Sequence, residues 1–224
     1  MSARAPRPRF VGRSAELRTL TEAFGEAAAG RGTTVLVGGE AGVGKSRLVS
    51  EAAGEARRRN ARVLVGQCLD LDEGGLPYAP VVDVLRTLDR ELTPEDGAAT
   101  LAPLRALLGG EEAAAPPPAA RGGPAGHTPT PPSANPLGQA RLFELLLTVI
   151  ERLVAAAPLV LVVEDLHWAD RSTLDLVSLV ASNTRNLPVL TVCTYRSDDV
   201  PPRHPLRSVA AELTRRGAHH LHLE

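Results

Sequence analysis

The 224-residue sequence is poor in cysteine and in aromatic side chains, and it contains no long apolar run. Its two cysteines, Cys68 and Cys193, are too few and too far apart for a disulfide framework or a zinc site, so we expect buried free thiols. No run approaches the ~18 apolar residues of a membrane helix, and no signal segment follows Met1. We therefore expect a cytoplasmic protein that does not contact a membrane.

A charge excess is also missing, because 25 basic residues face 26 acidic ones. Such a balance gives no general attraction for nucleic acid. Lysine itself is nearly absent, since Lys45 is the single lysine among these 25 basic residues. An ammonium is a compact, flexible point charge and a guanidinium is a rigid planar fork, so this lone lysine indicates a site that needs the former.

Aliphatic and β-branched runs alternate with segments of helical periodicity. The predicted strands are 33–37, 62–68, 159–163, 189–194 and 219–223. The predicted helices are 14–29 with Ser14 as N-cap, 46–59, 80–92, 137–156, 172–183 and 205–216. This alternation predicts an α/β fold, a three-layer sandwich with a mainly parallel five-stranded sheet covered on both faces.

Two segments differ from the rest in composition. Residues 1–9 are rich in arginine and proline and are predicted to form a mobile arm. Residues 110–136 hold eight of the 19 prolines and no large aliphatic side chain, so they are predicted to be a disordered insertion. Because strands and helices resume behind it, we assign 10–224 to one domain that this insertion interrupts.

The sequence Gly39-x-x-x-x-Gly44-Lys45-Ser46 matches the P-loop pattern between a predicted strand and a predicted helix. Glycines allow the backbone to wrap closely around phosphates, whose charge is favoured at a helix N-terminus. Lysine reaches the β- and γ-phosphates, and the serine hydroxyl is a ligand for Mg²⁺. With this motif, the predicted three-layer sandwich is of the P-loop NTPase kind. The predicted nucleotide-binding residues here are Gly39, Glu40, Ala41, Gly42, Val43, Gly44, Lys45, Ser46 and Arg47.

Charged residues follow two later strands. Glu164 and Asp165 end an aliphatic strand, and Arg196 follows the next one. The carboxyl ends of parallel strands meet at one sheet edge, where ligands of open α/β sheets bind. One carboxylate is expected to hold Mg²⁺ through water and the other to activate a water molecule, with either order open at this point. Arg196 is expected to contact the γ-phosphate, or otherwise to pair at the surface with Asp198 or Asp199.

Four segments together resemble the ATPase domain of the STAND class, more narrowly the Orc1-like AAA module of large ATP-binding LuxR-type regulators. These segments are FVGR at 10–13, GGEAGVGKSRLV at 38–49, LVLVVEDLHWAD at 159–170 and TYR at 194–196. The resemblance implies ATP or ADP with Mg²⁺ as ligands. It places Val11, Gly12 and Arg13 beside adenine and ribose, Glu164 on the magnesium side, Asp165 at the attacking water and Arg196 in a sensor position.

The resemblance also implies a nucleotide switch with self-association or an output domain as its partner. The Glu-Asp pair stands where Asp-Asp or Asp-Glu is commoner, so we expect slow hydrolysis. A lid, a winged helix and a DNA-binding helix-turn-helix would follow in such regulators. None is found up to Glu224, so we expect no direct DNA contact by this chain.

Two other functions are considered. A truncated, non-catalytic module that binds nucleotide weakly or serves only in interactions would explain the missing segments. A P-loop kinase would transfer the γ-phosphate to a small molecule, although the acidic pair after a later strand and the lack of an arginine-rich lid disfavour it.

Overall fold

Five parallel strands form one sheet in the computed structural model, which describes residues 12–70, 77–108 and 136–224. The strands are β1 (Thr33–Gly39), β2 (Arg62–Gln67), β3 (Leu159–Glu164), β4 (Val189–Arg196) and β5 (His219–Leu223). The helices are α1 (Ser14–Ala28), α2 (Lys45–Arg58), α3 (Ala79–Glu91), α4 (Pro94–Leu108), α5 (Pro136–Val154), α6 (Arg171–Asn183) and α7 (Pro205–Arg215). A 3-10 turn covers Leu166–Trp168.

The strand order is β2-β3-β4-β1-β5, and every neighbouring pair is parallel. The predicted five-stranded parallel sheet is therefore confirmed. β4 lies between β1 and β3, so the residues that follow β4 stand between the P-loop and the acidic pair. Gly39 of β1 is level with Arg196 of β4, and Gln67 of β2 is level with Glu164 of β3. The order thus brings these strand ends to one edge of the sheet.

Side chains that alternate along the strands enter two different helical layers. Val35 and Val37 pack in a core with α1 and α2, whereas Leu36 packs on the opposite face with α6 and α7. The same opposite face continues under α3, α4 and α5, where Leu64 and Leu159 are buried. Because both faces are covered, the central strands β1 and β4 are buried over almost their whole length, whereas in the edge strand β5 only Leu223 is buried. The predicted three-layer sandwich is confirmed.

One helix and one cap differ from the sequence prediction. The helix α4 was not predicted, because Gly97 and Pro103 lower the helix propensity of its sequence. Leu101 and Leu104 are fully buried against α3 and α5, and this packing outweighs the poor propensity. The prediction of Ser14 as N-cap is wrong. Ser14 is the first residue of α1, and Arg13 occupies the cap position without a side-chain hydrogen bond.

Several predictions concern residues outside those described. The arm at 1–9, Val11 and positions 110–135 of the predicted insertion lie there, while Pro136 begins α5. Across the three described segments, each helix is too short or too polar to cross a membrane. Cys68 and Cys193 are buried free thiols as predicted, and burial raises the pKa of each to about 12.

Candidate functional site

The loop between β1 and α2 has a backbone that only glycine accommodates readily. Gly39 has φ +152°, and a Cβ atom there would lie 2.5 Å from the carbonyl oxygen of Leu223. Gly44 caps α2 in the left-handed conformation with φ +101°, and no side chain caps the helix. The first N–H groups of α2 lack intrahelical acceptors and face the loop. The glycines predicted from the motif thus form a close-fitting turn at a helix N-terminus.

Lys45 lies inside this turn with only 7% of its surface exposed. Its Nζ donates hydrogen bonds to the carbonyl oxygens of Gly39 at 2.8 Å and Glu40 at 2.7 Å. Burial is the main cause of a lowered Lys45 pKa, and the negative charge of Asp198 opposes it. Within the described segments no carboxylate forms an ion pair with this ammonium. The loop therefore holds a buried cation that lacks a counter-ion.

The predicted magnesium ligands are brought together across the sheet edge. The Ser46 side chain, in the first turn of α2, hydrogen-bonds with the carboxylate of Glu164 at the end of β3. Burial raises the Glu164 pKa, and the Ser46 hydrogen bond partly offsets that change. Hydroxyl and carboxylate oxygens are the ligands that Mg²⁺ prefers. Ser46 at the start of α2 and Glu164 at the end of β3 are therefore the residues that would hold a magnesium ion.

Asp165 is held by contacts that the sequence did not reveal. Its φ of +58° is left-handed, a conformation that aspartate tolerates better than most residues. Its backbone N–H donates to Thr194 Oγ1 at 3.1 Å, and its Oδ2 accepts from Gln67 Nε2 at 3.0 Å. Gln67 was missed, although its place at the carboxyl end of β2 would have indicated it once β2 and β3 were known to be neighbours.

Arg196 lies between the P-loop and the acidic pair but pairs with a neighbour in this structure. Its Nη1 is 3.2 Å from Asp199 Oδ2, and its guanidinium lies 5.1 Å above the ring of Trp168. The surface pairing considered from the sequence is therefore the arrangement observed. His167 is buried beneath it, and its Nδ1 accepts the Arg196 backbone N–H at 3.4 Å. Desolvation is the main cause of a lowered His167 pKa.

Other predicted residues lie at the same edge without contacting the acidic pair. Arg13 pairs with Glu16 at 3.0 Å and also contacts the main-chain oxygen of Glu224. Glu224 follows Leu223, whose carbonyl lies against Gly39, so Arg13 stands on the β5 side of the loop. Gly12 precedes it with φ +93°. Arg47 is directed along α2, where its Nε is 3.2 Å from Glu51.

Together the turn, the buried ammonium and the strand-end acids define the class of P-loop nucleoside-triphosphate-binding domains. The family described as AAA ATPase domain matches residues 9–192, and the chain belongs to it. A curated relative, an uncharacterised protein of Rhizobium meliloti (strain 1021), is 28% identical over an alignment 224 residues long that covers 92% of this chain. The chain spans only 21% of that relative's length.

Solved structures also resemble the chain. A replication initiator DnaA bound to AMPPCP and single-stranded DNA gives a TM-score of 0.44 at 11% identity, over 96% of this chain and 47% of that one. The DnaC helicase loader gives 0.43 at 15% identity, over 98% and 94%. Drosophila ORC bound to AT-rich DNA and Cdc6 gives 0.44 at 14% identity, over 96% and 61%. Likeness at this level carries no argument about function.

Proposed function

We propose that this chain is the ATP-binding part of a STAND-type regulatory ATPase, which hydrolyses ATP slowly and signals through its nucleotide state. Membership of the AAA ATPase domain family supports the nucleotide-binding part of the proposal. The motifs FVGR and DLHWAD support the finer assignment to the Orc1-like modules of LuxR-type regulators. The output is expected to lie in a partner or in a domain outside this chain.

The observation that carries the proposal is the buried ammonium of Lys45 inside the glycine turn, with which no carboxylate of the described segments forms an ion pair. A buried charge is unfavourable unless another group compensates it. The Nζ of Lys45 is held inside the turn by the carbonyl oxygens of Gly39 and Glu40. The phosphates of a triphosphate would place negative charge beside this ammonium and stabilise it.

The other residues divide the remaining roles. The backbone N–H groups of the loop 39–46 bind phosphate oxygens. Ser46 and Glu164 would hold Mg²⁺, which neutralises phosphate charge when bound. Asp165 orients and deprotonates the attacking water, and its hydrogen bond from Gln67 holds its carboxylate at the strand end. The short aspartate side chain at this position and the competing Gln67 both favour slow turnover.

The first test is equilibrium binding of Mg-ATP and Mg-ADP to the chain and to Lys45→Ala. We expect micromolar binding that weakens by about 100-fold or more in the variant, because a charge-assisted contact to phosphate is lost. Arg58→Ala is the matched control, since it removes a cation from the far end of the same helix, where Arg58 pairs with Glu55. It should bind both nucleotides as the unchanged chain does.

The turnover assay separates this proposal from its rivals. Slow release of free phosphate from Mg-ATP is expected. Turnover on the order of tens per second without any partner would replace the switch with a constitutive ATPase. A phosphorylated acceptor in place of free phosphate would replace it with a kinase. A folded chain that binds neither nucleotide would reject the proposal.

A further inference from the structure

A buried imidazole without a full set of hydrogen bonds lies directly under the strand-end site. The His167 side chain is 0% exposed. Its Nδ1 accepts the backbone N–H of Arg196, so in the neutral ring the hydrogen is on Nε2. Among the described residues, Nε2 has no hydrogen-bond partner. A buried donor left unpaired is unfavourable, so an acceptor brought within hydrogen-bond distance of Nε2 would stabilise the ring.

The only acid paired with this imidazole in the described structure is already engaged by another group. Asp199 Oδ2 lies 3.7 Å from His167 Nε2, which is beyond hydrogen-bond distance. The same oxygen lies 3.2 Å from Arg196 Nη1. The Asp199 side chain is 44% exposed and follows the strand end, so it is not fixed by burial. Arg196 thus competes with His167 for one carboxylate oxygen.

We propose that Asp199 exchanges partners when a triphosphate binds, releasing Arg196 to the γ-phosphate and accepting the Nε2–H of His167. The inference rests on the proposed function, because it requires a triphosphate in the P-loop. Arg196 is level with Gly39 at the sheet edge, so the loop and the arginine face the same ligand. A γ-phosphate carries more charge than one carboxylate and attracts the guanidinium away.

His167 is then a positioning residue that acts through Asp199 and Arg196. When Arg196 moves away from Asp199, the Nε2–H of His167 donates a hydrogen bond to the Asp199 carboxylate. This bond stabilises the carboxylate and pairs the buried donor. A diphosphate does not present the γ-phosphate, so Asp199 keeps Arg196. The exchange therefore favours binding of ATP over ADP. The free energy that it adds to this preference cannot exceed the difference in affinity of the ligand for the two states.

The chain contains its own reporter for this exchange. Trp168 is the only tryptophan of the sequence. The Arg196 guanidinium lies 5.1 Å from its ring centroid, and the His167 ring lies 4.6 Å from it. When the Arg196 guanidinium moves away, the electric field at the Trp168 indole changes. The intrinsic fluorescence of Trp168 therefore reports the position of Arg196.

The experiment titrates the full chain with Mg²⁺ and either ADP or the non-hydrolysable β,γ-methylene analogue of ATP, measuring Trp168 fluorescence and Kd. We expect a fluorescence change with the triphosphate that ADP does not produce. His167→Asn keeps an acceptor near the Nδ1 position and loses the Nε2–H donor. It should weaken triphosphate binding by about tenfold, the size of one hydrogen bond to a charged group, and leave the Kd for ADP within about twofold.

His167→Gln is the matched rescue variant, because its amide nitrogen reaches toward the position of Nε2 and can donate to Asp199. It should restore most of the preference for triphosphate. Asp199→Asn, at an exposed position that does not threaten folding, should shift the nucleotide-free fluorescence toward the triphosphate-bound value. Asp198→Asn removes one negative charge at the neighbouring position and should leave the fluorescence spectrum of the nucleotide-free chain unchanged.

The outcomes separate the two proposals. If ADP and the triphosphate change Trp168 fluorescence equally, or if the Asn and Gln variants of His167 behave alike, the exchange is rejected. The proposed function then still stands, provided that Lys45→Ala abolishes binding. If the unchanged, folded chain binds neither nucleotide, both proposals are rejected together.

Discussion

Two regions at the same edge of the sheet, the P-loop and a strand-end network, are built differently. The strand-end network comprises Gln67, Glu164, Asp165, His167, Thr194, Arg196 and Asp199. In the P-loop, Lys45 contacts Gly39 and Glu40, only six and five residues away. In the network, Gln67 bonds to Asp165 across 98 positions of sequence. Backbone geometry fixes the first region, whereas side chains from separate strands build the second.

We expect this difference to divide the two roles of the site, with the P-loop binding nucleotide and the strand-end network responding to it. The P-loop presents main-chain groups whose positions depend on glycine conformations. The network consists of side chains, and within the described residues the buried Nε2 of His167 has no hydrogen-bond partner. We therefore expect P-loop changes to alter affinity or folding, and network changes to alter turnover and nucleotide discrimination.

Among the changes that test this contrast, we expect Asp165→Asn to have the largest effect, on ATP hydrolysis. In the proposed function Asp165 activates the attacking water, so removing its carboxylate should lower single-turnover ATP hydrolysis by about 100-fold or more and keep the Kd for Mg-ATP within about threefold. Phosphate release and equilibrium binding are the measurements. Asp175→Asn, an exposed acid paired with Arg171 on α6, should change neither. A Kd that weakens as much as turnover would remove the distinction between the two regions.

Gly39→Ala tests whether backbone geometry sets the P-loop. The new Cβ would lie 2.5 Å from the Leu223 carbonyl oxygen at a φ of +152°. Strain and close packing should lower the free energy of unfolding by about 2–4 kcal/mol in urea denaturation. Gly25→Ala, at an exposed position of α1 with open space around it, should raise it by up to about 1 kcal/mol. Equal effects at both glycines would contradict the argument.

A pair of threonines on β4 gives the smallest expected effect. Thr194 Oγ1 accepts the Asp165 N–H, so Thr194→Val leaves that donor unpaired and should cost about 1–3 kcal/mol. The Thr191 hydroxyl is buried without a partner among the described residues. Thr191→Val should therefore be neutral or stabilising. Thermal unfolding of both variants decides, and a Thr191→Val loss as large as that of Thr194→Val would refute the assigned hydrogen bond.

The sequence predicted best what depends on adjacent residues. Local sequence runs located all five strands, and the P-loop motif located the turn around Lys45 because its geometry is contained in one short segment. The packing-dependent α4 was missed because its own sequence disfavours a helix. Gln67 was missed because its contact with Asp165 depends on strand order, which no local pattern encodes. The pairing of Arg196 with Asp199 was considered from the sequence, with Asp198 as the other candidate. The STAND assignment and the individual site roles remain predictions.

The place of β1 in the sheet also has a consequence for how the chain is made. β1 pairs with β4 and β5, and Thr33 meets Leu190 only after about 150 further residues have been synthesised. At ~5–20 residues per second, this strand waits on the order of ten seconds on the ribosome without either neighbour. Its apolar faces and unpaired backbone are exposed throughout that interval. The strand that leads into the P-loop is therefore synthesised first and paired last, and chaperone binding during translation would be concentrated there.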